Sequence, residues 1–272
     1  MRGGFSPPDP FIITEMPTGP GYQDTNGKTV RSLAINTGIR NLVLITAGQS
    51  NWESTNPTLY TPTNSSVIDN FNIYDGAAYS IAGPLLGCSS SPLGPGNLGA
   101  RVADLLVTNG KFDRVILVSI AIGSTSVSDW GTGRLQDRVG VAMRRLAARG
   151  ITPATTGVTF ALIWGQGEND TQAGTSQASY TSSLNSFIAN AQAAGMSGRI
   201  FVTLESWNAG TTSANVRAAQ AAVVTGNVFQ GGDMDTLNAT NRQADNVHLN
   251  DTGAASMATL EYNAMHASGA PF

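Results

Sequence analysis

The chain has 272 residues, 41% of them apolar and only 12% charged, and its 15 Lys+Arg against 18 Asp+Glu give a formal net charge of -3. That length can bury a core without covalent staples, the apolar content is too high for a disordered chain, and the longest apolar runs, such as residues 115–122, fall far short of a membrane span. The basic residues are scattered rather than gathered into a stripe that would neutralise phosphates, so no nucleic acid partner is expected; sparse charge with abundant Ser, Thr, Asn and Gly fits an extracellular or virion-associated protein.

Residues 1–40 are rich in Gly, Pro and Thr, carry no hydrophobic period and lack the charged-then-apolar layout of a leader, so they read as an extended arm, a packing strap or one suited to self-association or attachment. Residues 41–272 read as one domain. Short β-branched runs at 42–46, 67–74, 115–122, 158–164 and 200–204 predict five strands. Amphipathic stretches at 98–108, 135–149, 177–194, 214–224 and 252–267 predict helices, with Gly110, Gly150 and Gly195 standing where helices stop. Alternation of strand and helix predicts the α/β class: a three-layer α/β/α sandwich around a central, mainly parallel five-stranded sheet. Residues 226–250, rich in Gly, Asp and Asn and without a period, read as a loop at the carboxyl edge of that sheet, where sites gather.

One cysteine, Cys88, and two histidines leave no disulfide framework, thiolate cage or His-rich metal site, and Cys88 reads as a small buried hydrophobe. Residues 94–99, Gly-Pro-Gly-Asn-Leu-Gly, spell the dinucleotide fingerprint, but no strand precedes them and no acidic residue closes the next strand, so no nucleotide cofactor is expected.

The strand exits are more informative. Strand 42–46 runs into Ala47-Gly48-Gln49-Ser50-Asn51, where small residues permit a sharp turn that presents Ser50 above the sheet edge as a candidate nucleophile, the plainer alternative being a helix cap. Asp245-Asn246-Val247-His248 puts a carboxylate three residues before an imidazole, so Asp245 can accept from Nδ1–H and leave Nε2 to face a serine. His266, near a fraying end with no acid to orient it, reads as a surface residue. Strand 158–164 exits into Gly165-Gln166-Gly167-Glu168-Asn169-Asp170, where the Asn169 amide can donate to an oxyanion; strand 115–122 exits at Gly123, whose missing Cβ lets its N–H approach a substrate oxygen.

Taken together these blocks resemble the SGNH hydrolases, or GDSL-like esterases, and within them the carbohydrate O-acetylesterase branch of sialate and acetylxylan esterase-like proteins. The matching blocks are Gly-Gln-Ser-Asn at 48–51, Gly-Ser-Thr-Ser at 123–126 followed by Trp130, Gly-Glu-Asn-Asp at 167–170 in a Gln-Gly-Glu setting, and Asp-x-x-His at 245–248, in the family's order. The resemblance implies a flavodoxin-like SGNH fold and removal of O-acetyl groups from a carbohydrate through an acyl-enzyme. It implies Ser50 as nucleophile, His248 as base, Asp245 as its orienting carboxylate, and an oxyanion hole of Ser50 N–H, Gly123 N–H and the Asn169 amide, with no metal.

Two departures stand out: Trp52 lies where many members carry Met, and Gly165 replaces a bulkier residue before Gln-Gly-Glu. Gln49, Trp52, Gln166, Glu168 and Trp207 are the expected substrate contacts, the Trp rings as platforms for sugar faces and the polar groups as partners for hydroxyls, with Gln166 and Glu168, which flank Asn169, also expected to lock that loop, while Trp164 reads as core. The competing readings are a non-catalytic glycan-binding module of a phage tail or cell-surface assembly and a lipid or thioester hydrolase on the same fold, the latter needing a wide apolar groove.

Overall fold

A computed structural model describes residues 24–89 and 94–272, and residues 1–23 of the expected arm lie outside the described residues. The strands in chain order are β1 (Val30–Arg31), β2 (Asn41–Gly48), β3 (Ser54–Asn56), β4 (Ile68–Asn72), β5 (Ala77–Ser80), β6 (Gly96–Asn97), β7 (Arg114–Ser119), β8 (Val158–Gly165), β9 (Arg199–Leu204) and β10 (Val228–Asp233). The helices are α1 (Leu98–Thr108), α2 (Val127–Gly131), α3 (Arg138–Ala147), α4 (Glu168–Ala173), α5 (Gln177–Ala193), α6 (Ala214–Ala222) and α7 (Asp251–Ala267).

Among the described residues, eight strands form the main sheet in the order β1-β5-β4-β7-β2-β8-β9-β10, and β3 pairs with β6 in a small second sheet. Strands β4, β7, β2, β8, β9 and β10 run parallel, and β5 and β1 add an antiparallel edge. Every residue of β2 is buried. Its nearly unbroken apolar run suits a strand covered on both faces, with alternate side chains entering two cores. Val43, Ile45 and Ala47 face a core shared with Val139 of α3, Leu184 of α5 and Val216 of α6. Leu42 and Leu44 face a second core with Leu98 of α1 and Met257 of α7. Cys88 sits in that second core, where burial pushes its thiol up to about 11.

The α/β class and the mainly parallel central sheet agree with the sequence, but the sheet is wider than five strands. Strand β10 occupies part of 226–250, the stretch read as loop. Its sequence, Val-Phe-Gln-Gly-Gly-Asp, masks the strand period because the two glycines sit under α7: a Cβ on Gly232 would come 2.8 Å from Met257 Cε. On the opposite edge, β1 pairs with β5, Arg31 Nε donates to Asp69 Oδ1 at 3.1 Å, and Leu33 and Ile35 pack on the core. Residues 24–40 therefore pack as a strap along this edge of the sheet.

Asn97 closes β6 and caps α1, its side chain accepting from Ala100 N–H at 3.2 Å, which is the local work of the 94–99 stretch. With β7, β2 and β8 adjacent, their carboxyl ends bring Gly123, Ser50 and the 165–170 turn to one rim of the sheet.

Candidate active site

Ser50 is placed by a tight passage at the end of β2. Gly48 has φ +126° and a Cβ there would lie 1.8 Å from the Gly165 carbonyl oxygen, so only glycine fits between the strands. Gln49 N–H donates to Gly165 O at 2.9 Å, and the chain then tightens into a 3-10 turn, Ser50–Trp52. Ser50 stays 8% exposed, and its own N–H has no hydrogen-bond partner among the described residues.

The imidazole arrives from the segment between β10 and α7. Asp245 Oδ1 accepts from the N–H groups of Val247 (2.9 Å) and His248 (3.0 Å), a turn that drives Asn246 to φ +56°. Asp245 Oδ2 then lies 2.6 Å from His248 Nδ1, and His248 Nε2 lies 2.8 Å from Ser50 Oγ. Burial would raise the Asp245 carboxyl, but the hydrogen bonds from the His248 ring and the two N–H groups prevail and hold it below the usual carboxylate range. The loop is braced from behind by buried Arg242, which donates to the carbonyls of Val247 (2.8 Å), Met234 (3.0 Å) and Leu237 (3.1 Å). Asn51 Oδ1 accepts from Leu249 N–H at 2.9 Å, tying the serine turn directly to the histidine loop.

Asn169, in the first turn of α4, is half-buried and its side-chain amide has no partner among the described residues, while its backbone N–H donates to Gln49 Oε1 at 3.3 Å. Gly123 requires a correction. Its N–H does not stand open toward Ser50; it donates to Glu53 Oε2 at 2.8 Å and Ser89 Oγ at 2.9 Å. A carboxyl buried with few other donors draws the nearest N–H to itself, and burial, opposed by that N–H, pushes Glu53 up to about 7. At this turn the backbone N–H groups of Ser124, a residue held at φ +57°, and Thr125 have no partner among the described residues.

Gln49 and Trp52 do not reach a substrate, and Gln166 and Glu168 take the loop-locking role expected of them without the sugar contact. Gln49 is 3% exposed, and its Oε1 accepts from Gln166 Nε2 (3.0 Å), Gly167 N–H (3.4 Å) and Asn169 N–H (3.3 Å). Gln166 is fully buried, donating also to Thr125 O (3.0 Å) and Asp170 Oδ2 (2.6 Å). Trp52 is fully buried with Nε1 donating to Glu205 Oε2 at 3.0 Å, and Glu168 is buried against the Asn51 amide. These side chains hold the 165–170 turn in place and offer no surface to a sugar. The two departures from the family pattern explain each other: a Cβ on residue 165 would sit 1.7 Å from Trp52 Nε1, so the indole fills the volume that Gly165 vacates.

Trp207 differs from these four. It is half-buried, donates from Nε1 to Asn246 O at 2.9 Å and lies 5.7 Å from the Arg242 guanidinium, placing an aromatic ring beside the Asp245–His248 loop. Trp130 and Trp164 are core residues. His266 is exposed, with Nδ1 2.8 Å from Lys111 Nζ.

The sequence alone gives no role to Asn51, Glu53 or Arg242. The signal available was position: Asn51 and Glu53 flank the serine turn, and Arg242 is a lone cation within a stretch of Asn, Gln and Asp. Which neighbour each would bind depends on how distant strand ends meet.

A mainly parallel sheet carrying a serine at the end of its central strand and an Asp-x-x-His loop from the C-terminal region defines the SGNH-type α/β hydrolase architecture. The profile of the family described as carbohydrate esterase, sialic acid-specific acetylesterase, matches residues 40–266, and the chain belongs to that family of carbohydrate esterases. Among curated proteins none matches the sequence. Among solved structures, a protein from Arabidopsis thaliana is 18% identical with a TM-score of 0.66, over 84% of this chain and 98% of that one. NanS is 16% identical with a TM-score of 0.54, over 84% and 97% of the respective chains. A carbohydrate acetylesterase from Xanthomonas citri is 13% identical with a TM-score of 0.52, over 82% of this chain and 55% of that one. At these identities the likeness is one of fold.

Proposed function

We propose that the protein removes O-acetyl groups from a carbohydrate by a two-step serine mechanism. The observation that carries the reading is the continuous line from Asp245 Oδ2 through His248 to Ser50 Oγ, with contacts of 2.6 and 2.8 Å. Ser50 Oγ gives its proton to His248 Nε2 and attacks the acetyl carbonyl carbon, Asp245 holding the ring so that Nδ1 carries the other proton. The tetrahedral oxyanion is met by the Ser50 N–H and the Asn169 amide, and by the backbone N–H of Ser124 in place of Gly123, all three without partners among the described residues. Collapse of the intermediate expels the sugar alkoxide, which takes the proton from His248 as it leaves. A water, deprotonated by His248, attacks the acetyl-Ser50 ester; acetate leaves and the serine proton returns.

Carbohydrate as the alcohol is supported by the family match and by Trp207, whose partly open ring beside the histidine loop can stack on a pyranose face. The test is acetate release from a panel of O-acetylated sialate, xylan, bacterial capsule and O-antigen, with wild type and Ser50→Ala side by side. The expected result is release from at least one member that disappears in Ser50→Ala; release that survives the substitution overturns the assignment of Ser50.

A further inference from the structure

Behind the serine turn two acidic side chains meet in the interior. Glu168, from α4, is 1% exposed and Glu205, just past β9, is also 1% exposed. Glu168 Oε1 accepts from Asn51 Nδ2, and Glu205 Oε2 accepts from Trp52 Nε1 at 3.0 Å. The other two oxygens, Glu168 Oε2 and Glu205 Oε1, are buried without a hydrogen-bond partner among the described residues, and the two segments abut, a Cβ on Gly167 falling 1.7 Å from the Glu205 carbonyl oxygen. Arg242 is the nearby cation, but its Nε, Nη1 and Nη2 donate to three backbone carbonyls.

Two carboxylates facing each other in a dry site present acceptor to acceptor. One proton between them turns that repulsion into a charge-assisted hydrogen bond, and a second proton would have no acceptor. Asn51 is the next link: its amide donates to Glu168 and its carbonyl oxygen accepts from Leu249 N–H, the residue after His248.

We propose that Glu168 and Glu205 share a single proton and, as one hydrogen-bonded unit, position Asn51 and through it the His248 loop against Ser50. Both are positioning residues. The inference rests on the hydrolase reading for its kinetic arm only.

Donor counting makes the test sharp. In Glu205→Gln the amide oxygen accepts from Trp52 and the NH2 group donates to the Glu168 carboxylate, replacing the shared proton. In Glu168→Gln the oxygen accepts from Asn51 and the NH2 group donates to Glu205. With both substitutions two NH2 groups face each other and no arrangement satisfies Asn51 and Trp52 as well.

The experiment compares wild type, Glu205→Ala, Glu205→Gln, Glu168→Gln and the double Gln variant by infrared difference spectroscopy at neutral pH and by aryl acetate kinetics. Wild type minus Glu205→Gln is expected to show one buried carboxylic-acid carbonyl band, read without turnover and independent of whether the double variant folds. Glu205→Ala is expected to lower kcat about tenfold or more with KM little changed, Glu205→Gln to restore most of that loss, and the double Gln variant to fall about tenfold below the product of the two single effects. Absence of the carbonyl band from the difference spectrum, or a folded double variant no worse than that product, overturns the shared proton. Loss of the hydrolase reading itself has a different mark: turnover by wild type that is absent, or unchanged in Ser50→Ala.

Discussion

Asp245 sits at a side-chain exposure of 35%, His248 at 18%, so the acid is neither sealed nor free, and its effect comes from geometry: two backbone N–H bonds to one oxygen fix the other against Nδ1. Asp245→Asn would present an amide NH2 to the ring and stabilise the wrong tautomer, so kcat is expected to fall on the order of a thousandfold to ten-thousandfold with KM little changed. Steady-state kinetics on an aryl acetate check this, and a loss under tenfold would contradict the orienting role. Asn169→Ala, which removes one unpaired donor without disturbing the Gln49 contact made by its backbone, is expected to lower kcat on the order of 100-fold to 1000-fold while the melting temperature holds. At this scale the meeting of Ser50, Asp245 and His248 was legible because each lies in a short block whose spacing alone has chemical meaning, and Asn169 lies against Gln49 of the serine turn. Gln49 and Trp52 misled because their residue types suit a sugar and an internal bond equally well, whereas Gln166 and Glu168 take only the loop-locking half of the double role read for them. Only the meeting of β2, β8 and α4 decides that these groups satisfy one another.

The end of β2 and the end of β8 work as one element, since Gly48 pairs with Gly165 and the Trp52 indole closes over both. Gly165→Ala forces its methyl into the indole and is expected to destabilise by about 1–3 kcal/mol. Trp52→Met vacates that volume while leaving Glu205 Oε2 without its donor, so it is destabilising for a different reason. The double variant is expected to recover part of the sum, a coupling of about 0.5–3 kcal/mol in a denaturant double-mutant cycle; strict additivity would show that the two positions do not share the space. Helices α1, α5, α6 and α7 and strands β2, β8 and β9 were readable to within two residues at each end, each having a long enough period. Strand β10 was not, because the contact with α7 demands glycine where a strand normally shows β-branched residues, and β1 and β5 are too short to carry any pattern. The short helices α2 and α4 have only five and six residues, less than two full turns of periodicity.

Across the whole molecule the interior holds more carboxyl groups than cations to pair with them. Burial pushes Glu53 and Glu261 up to about 7 from an ordinary 4.5, despite the N–H groups of Gly123 and Gly232 that each accepts from. Between those values the unfolded chain releases protons that the folded chain retains, so stability falls as pH rises from about 4.5 to about 7, by up to roughly 3 kcal/mol per group. Below that window the sign reverses. Asp245 and Asp104 are held low in the fold, so the stability they supply is lost as pH drops through the acid range. Thermal melts are expected to peak near about pH 5 and decline toward neutrality, with Glu261→Gln flattening the decline. A melting temperature that rises steadily from pH 5 to 7 would contradict this.

Catalysis by this route requires a serine that becomes acetylated. Rapid quench of the protein with an aryl acetate, followed by intact-mass and peptide mapping, reads that event directly. One acetyl group per chain, carried on Ser50, accumulating during the first turnover and absent from His248→Ala, is the predicted result. Hydrolysis with no adduct in either the quench or the map, or an adduct on another residue while Ser50 stays unmodified, would contradict it.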